Sequence, residues 1–158
     1  MPQPNTVESW LQFGLQRLAR DDISPAFFLG GRIDDIPDRT PQRWQLAVDM
    51  MYRCIVSGLI DVHTPRYRND HEGFFHVLRT FAPYGQGDGM ALWHGGDLCP
   101  TERLIDLLDK YFPKTGPCNR AVNPAFIQEL TCIFAEHNVP WSDAPLLPII
   151  RNDNSAIA

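Results

Sequence analysis

Fourteen prolines divide the 158-residue chain, and they limit its fold more than any other feature of the sequence. Proline fixes its own φ, donates no N–H and turns the preceding residue away from the helical region. No long helix and no central strand therefore runs through one. Thr40-Pro41 and Asn123-Pro124 each place a capping side chain before a proline at the first helical position, where the missing N–H had no partner anyway. Pro25, Pro83, Pro113 and Pro140 instead fall beyond apolar segments and end them. Short helices with irregular links are the expected result.

Apolar spacing locates about five such helices. The first runs from Thr6 to about Arg20, with Asn5 as cap, Glu8 completing a capping box, and Leu11, Leu15 and Leu18 as its stripe. The second opens at Thr40-Pro41 and carries Trp44, Ala47, Val48, Met51 and Ile55. Gly58 suits the left-handed position after its last turn, and Leu59 to Val62 continues as a short extended piece. The third starts near Asp70, capped by Asn69, with an aromatic face of Phe74, Phe75, Leu78 and Phe81. The fourth follows Cys99-Pro100 and carries Leu104, Ile105, Leu107, Leu108, Tyr111 and Phe112; the fifth opens at Asn123-Pro124 and carries Phe126, Ile127, Leu130, Ile133 and Phe134.

Residues 25 to 40 and 83 to 98 read as irregular connections, the second holding glycines 85, 87, 89, 95 and 96. A loop that long inside a compact domain is usually functional or mobile. From Trp141 the chain is extended, its Leu146, Leu147, Ile149 and Ile150 strip lying across the core, with a frayed tail from about residue 151. The fold class is mainly α: an irregular bundle of about five helices with at most one or two short strands, in a single domain over residues 1–158.

With 44% hydrophobic and 21% charged residues, the chain supports a core without metal or disulfide staples. A net charge of −5 argues against nucleic acid, which calls for a basic face. A negative patch suits a basic protein partner, because complementary fields speed encounter. No apolar run is long enough to span a membrane. The amino terminus lacks the basic and apolar regions of a signal peptide. With four cysteines and no CxxC pair, the chain reads as a cytoplasmic protein with reduced thiols.

Motifs that carry chemistry are incomplete. His71 and His76, five apart, do not share a helix face, and Glu72 with His76 falls short of a three-ligand site. No metal and no cofactor is expected. Asp34, Asp35 and Asp38 have the DDxxD spacing of isoprenoid enzymes, but Pro37 interrupts it, which leaves an acidic turn as a contact surface. His94-Gly95-Gly96-Asp97 resembles part of an esterase oxyanion loop, yet no serine sits in a GxSxG elbow. A thiolate at Cys99 would need a base such as His94 beside it. Met90 and Trp93 either pack inward or form a hydrophobic contact, since aromatic residues and methionine are enriched at interfaces.

The segment from Trp44 to Val62, an aromatic-led helix ending in Ser-Gly-Leu before a short extended piece, resembles small helical immunity proteins of bacterial toxin–immunity systems. Pro-Thr-Glu-Arg-Leu-Ile-Asp-Leu-Leu at residues 100–108 adds to the likeness. The resemblance implies a protein that binds a cognate toxin and neutralises it by occlusion. No functional residue carries over from it. The contacts expected from the residues themselves are Asp34, Asp35, Asp38, Asp88 and Trp93. The alternatives are a small enzyme with a site around His94, Asp97 and Cys99, and a scaffold or assembly component.

Overall fold

A computed structural model of the chain describes residues 6–30, 33, 36–84 and 88–151. Among these residues there are six α-helices and one two-stranded sheet: α1 (Val7–Arg20), α2 (Pro41–Val56), β1 (Ile60–Val62), α3 (His71–Thr80), α4 (Asp88–Gly95), β2 (Leu98–Pro100), α5 (Glu102–Tyr111) and α6 (Pro124–Glu136). The mainly helical expectation holds.

Local chemistry sets most of the boundaries. The Thr40 side chain accepts from the N–H of Arg43, Thr101 from Leu104, and Asn123 from Ala125 and Phe126, so α2, α5 and α6 start on satisfied caps. Two caps sit one residue later than expected. Thr6 caps α1, while Asn5 lies outside the described residues, and Asp70 rather than Asn69 caps α3 by accepting from Gly73. At the end of α2, Gly58 takes φ +75° and Leu59 donates back to Cys54 at 2.8 Å, the bonding of a Schellman ending. Asn138 does the same for α6 at φ 60°, with Val139 donating to Phe134.

The sixth helix, α4, falls in the segment read as an irregular loop. Its Trp93 is fully buried and its indole N–H donates to the Phe81 carbonyl at 2.9 Å. Gly89 lets α4 lie against the end of α3, since a Cβ there would clash with Phe81. Tertiary packing thus makes a helix where glycine content argues for a loop.

The core centres on α2, with Trp44, Met50, Met51 and Cys54 wholly buried, and gathers Leu11 and Leu15 of α1, Phe74 of α3, and Phe126 and Phe134 of α6. Two polar stripes also point inward. On α1, Gln12 donates to the carbonyls of Asn119 and Ala121 and accepts from Asn123, while Gln16 accepts from Asn119. On α2, Gln45, Asp49 and Arg53 hold the extended segment 140–149. Gln45 bonds Leu147 and Ile149, Asp49 accepts from Leu146 and Leu147, and Arg53 donates to Pro140. That strap lies across the core through Leu146, Leu147 and Ile149, whereas Ile150, expected in the same strip, is exposed.

Candidate functional site

The small sheet brings chemistry-bearing residues together by its register. Strands β1 and β2 are antiparallel, with Ile60 opposite Pro100, Asp61 opposite Cys99 and Val62 opposite Leu98. Ile60, Val62 and Leu98 are buried in the core. Successive side chains of a strand point to opposite faces, so Asp61 and Cys99 share the outer face. The pairing runs on past the strand ends, where the N–H of His63 donates to the Asp97 carbonyl at 2.8 Å. On the other side of β2, Ile23 and Leu98 exchange both backbone hydrogen bonds, at 3.2 and 2.9 Å. Extending that register by one residue puts Asp22 beside Cys99.

One face therefore carries Asp22, Asp61, His63, Asp97 and Cys99. Possible ligand atoms of Asp61, His63 and Cys99 lie within 4.8 Å of one another, and the same holds for Asp22, His63 and Asp97. His63 Nε2 is 3.9 Å from one Asp61 oxygen, and His71 Nε2 is 3.8 Å from the other. Burial pushes the Cys99 thiol up to about 11, and the carboxylates of Asp22, Asp61 and Asp97 push the same way. Desolvation also raises the Asp22 carboxyl, with Asp97 adding both charge repulsion and a hydrogen bond between the two side chains. The thiol is thus neutral at physiological pH and is no nucleophile. The face is electronegative, which suits a cation.

Protein-family models, curated proteins and solved structures offer no match to the chain. Its function is therefore read from the site alone.

Of the residues expected to form a contact surface, the structure describes the side chains of Asp38 and Trp93. Asp34 and Asp35 lie outside the described residues, as does the side chain of Asp88. Asp38 is exposed, with one oxygen 3.6 Å from the buried Arg43 guanidinium. Trp93 needs correction: it is wholly buried and packs inward, so it offers nothing to a partner. The pairing of His94 with Cys99 that the alternative enzyme reading needs is not made. His94 Nε2 sits 3.3 Å from the Pro83 carbonyl, while Asp97 and Cys99 meet His63 instead. His63 was missed because it follows a strand too short to show alternation. The signal was nonetheless present in Ile60-Asp61-Val62-His63 and Asp97-Leu98-Cys99, where apolar and polar residues alternate.

A second feature lies beside α2. An open cleft of about 720 Å³ runs between Val7, Ile36, Pro41 and Leu46 on one side and Trp141 to Ile149 of the strap on the other. Glu8, Asp49 and Asp143 also line it, against one basic residue, Arg53. Arg53 is committed elsewhere, bonded to Pro140 and stacked 5.2 Å from the Trp141 ring.

Thiol accessibility follows from the same packing. Cys132 is exposed and Cys118 half-buried, whereas Cys54 is buried with its thiol pushed up to about 12 by desolvation. Mild alkylation at neutral pH followed by mass spectrometry is expected to label Cys132 and Cys118 first, and Cys54 only on unfolding. Fast labelling of Cys54 in the folded protein would contradict the packing around α2.

Proposed function

We propose that the chain is an immunity-type protein that binds a cognate toxin and neutralises it by occlusion, with the cleft beside α2 as its contact surface. The cleft is the observation that carries this reading. It combines the half-buried apolar side chains of Leu46, Trp141 and Ile149 with the carboxylates of Glu8 and Asp143. Apolar and polar groups together are the usual make-up of a protein–protein interface. The exposed Asp38 follows two residues after Ile36, which lines the cleft. A basic partner matches both those carboxylates and the net charge of −5.

The test begins with capture of the partner by the full chain, identified by mass spectrometry, and a check that the partner is a toxin encoded beside this gene. Leu46→Arg and the combined reversal of Asp34, Asp35 and Asp38 to lysine are then each expected to weaken binding at least ~10-fold, about 1.4 kcal/mol. Thermal melting of Leu46→Arg should stay close to that of the parent protein, because Leu46 is only partly buried; the triple reversal removes the Asp38–Arg43 ion pair, so circular dichroism must show it folded before its affinity is compared. Unchanged affinity in both variants would remove this face as the contact surface.

A further inference from the structure

We propose that the outer face of the β1–β2 corner is a binding site for a divalent transition metal of the zinc class, held by Asp61, His63 and Cys99 with Asp22 and Asp97 as supporting carboxylates. This goes beyond the partner-binding reading and does not depend on it.

Spacing is the first argument. The 3.9 Å between His63 Nε2 and Asp61 is too long for a hydrogen bond. It is close to the separation of two ligands around one tetrahedral zinc, roughly 3.3–3.8 Å for bonds of about 2.0–2.3 Å. The three ligand atoms of Asp61, His63 and Cys99 already lie within 4.8 Å of one another. Side-chain adjustments of about an ångström would close the shell, and both Asp61 and His63 are free to make them, at 48% and 45% side-chain exposure. Cys99 is fixed by the strand and buried.

The donor set is the second argument. A thiolate sulfur with an imidazole nitrogen and a carboxylate oxygen favours zinc and its neighbours over calcium or magnesium, which take oxygen ligands. Three protein ligands leave a fourth position open to water or to a group from outside, as in zinc sites that do chemistry. A ligating histidine usually directs its other ring nitrogen to a carboxylate, which fixes the ring and strengthens the bond. Besides Asp61, Asp22 and Asp97 each have a carboxylate oxygen within 4.8 Å of a His63 nitrogen and are the candidates for that role. On binding, the Cys99 thiol loses its proton to solvent and the sulfur lone pair forms the metal bond. The added positive charge offsets the crowding of three carboxylates on one face.

The experiment uses the tag-free, reduced full chain, titrated with cobalt(II) and then with zinc(II) against a chromophoric chelator. One equivalent of cobalt is expected to bind, with an intense near-ultraviolet thiolate-to-cobalt band and visible bands of a tetrahedral ion, and zinc should displace it. His63→Ala and Cys99→Ser should abolish the near-ultraviolet band. Asp97→Asn should weaken binding by about 10–100-fold, and His94→Ala, remote from the cluster, should change nothing. Circular dichroism melting confirms that each variant is folded. If Cys99→Ser does not fold, a zinc-dependent rise in the melting temperature of the parent, and its loss in His63→Ala, replaces that arm. Absence of saturable binding of both metals, or a band that survives His63→Ala, would overturn the proposal.

Discussion

Replacing Trp44 with alanine is expected to remove about 3–5 kcal/mol of stability, a large part of the margin of about 5–15 kcal/mol that a domain has. Trp44 is wholly buried in the first turn of α2, against the end of α3. The indole fills volume that no neighbour can reach without moving a helix. It also donates from Nε1 to the Leu78 carbonyl at 2.8 Å. Leu78 lies in the last turn of α3, whose carbonyls have no partner within the helix, so the indole satisfies an acceptor that the fold has buried. Trp44→Phe separates the two effects. It keeps most of the ring volume and loses only the donor, so it should lose much less than alanine, about 1–3 kcal/mol. Urea denaturation followed by circular dichroism measures both. A loss below about 1 kcal/mol for alanine would mean that the core closes over the gap, against the usual behaviour of close-packed interiors.

Trp44 was legible in the sequence because its helix carries every local signal at once: Thr40 as cap, Pro41 at the first position, an apolar stripe, and Gly58 at the stop. Each of those residues acts on the backbone within a few positions of itself, so the chain states the helix without reference to distant residues. The polar stripes were not legible. Gln12 and Gln16, and likewise Gln45, Asp49 and Arg53, recur at four-residue spacing, which by itself does not separate a solvated face from a buried one. In the structure Gln12 is wholly buried, and the five side chains bond the backbone of segments about a hundred residues away. Periodicity counts apolar residues and is blind to a polar side chain whose partner is a loop. The same limit hid the His63 cluster. Each strand is three residues long, below the length at which alternation separates from chance. The convergence also requires Ile23 to pair with Leu98, a non-local contact that no local pattern announces. Helix α4 was missed for the converse reason: its glycines spoke for a loop, and Trp93 anchored it from outside the local pattern.

Asp49 offers the sharpest test of whether the strap is held by polar contacts or merely rests on apolar ones. Asp49→Ala is expected to lower stability by about 1–3 kcal/mol, because the N–H groups of Leu146 and Leu147 and the Gln45 amide lose their acceptor together. Asp49→Asn keeps one acceptor oxygen and should lose less. Burial raises the Asp49 carboxyl above its ordinary value, with the hydrogen bonds from Leu147 and Leu146 and the charge of Arg53 pulling the other way. A carboxyl raised on folding contributes stability that is fully present below its unfolded value and is lost as pH rises through the folded one. The difference in stability between the parent protein and Asp49→Asn should therefore shift in favour of the asparagine as pH rises from the ordinary carboxylate range towards neutrality. A difference that stays flat, or shifts the other way, would contradict a buried carboxylate at this position. Hydrogen exchange locates the effect: in Asp49→Ala the amides of Leu146 and Leu147 should lose protection while those of α2 keep theirs. Because the strap supplies Trp141 and Ile149 to the cleft, the same variant should also weaken partner binding, and more than Asp49→Asn does. If the two amides exchange as slowly as before, the strap is held by Leu146, Leu147 and Ile149 against the core, and Asp49 does no more than line the cleft.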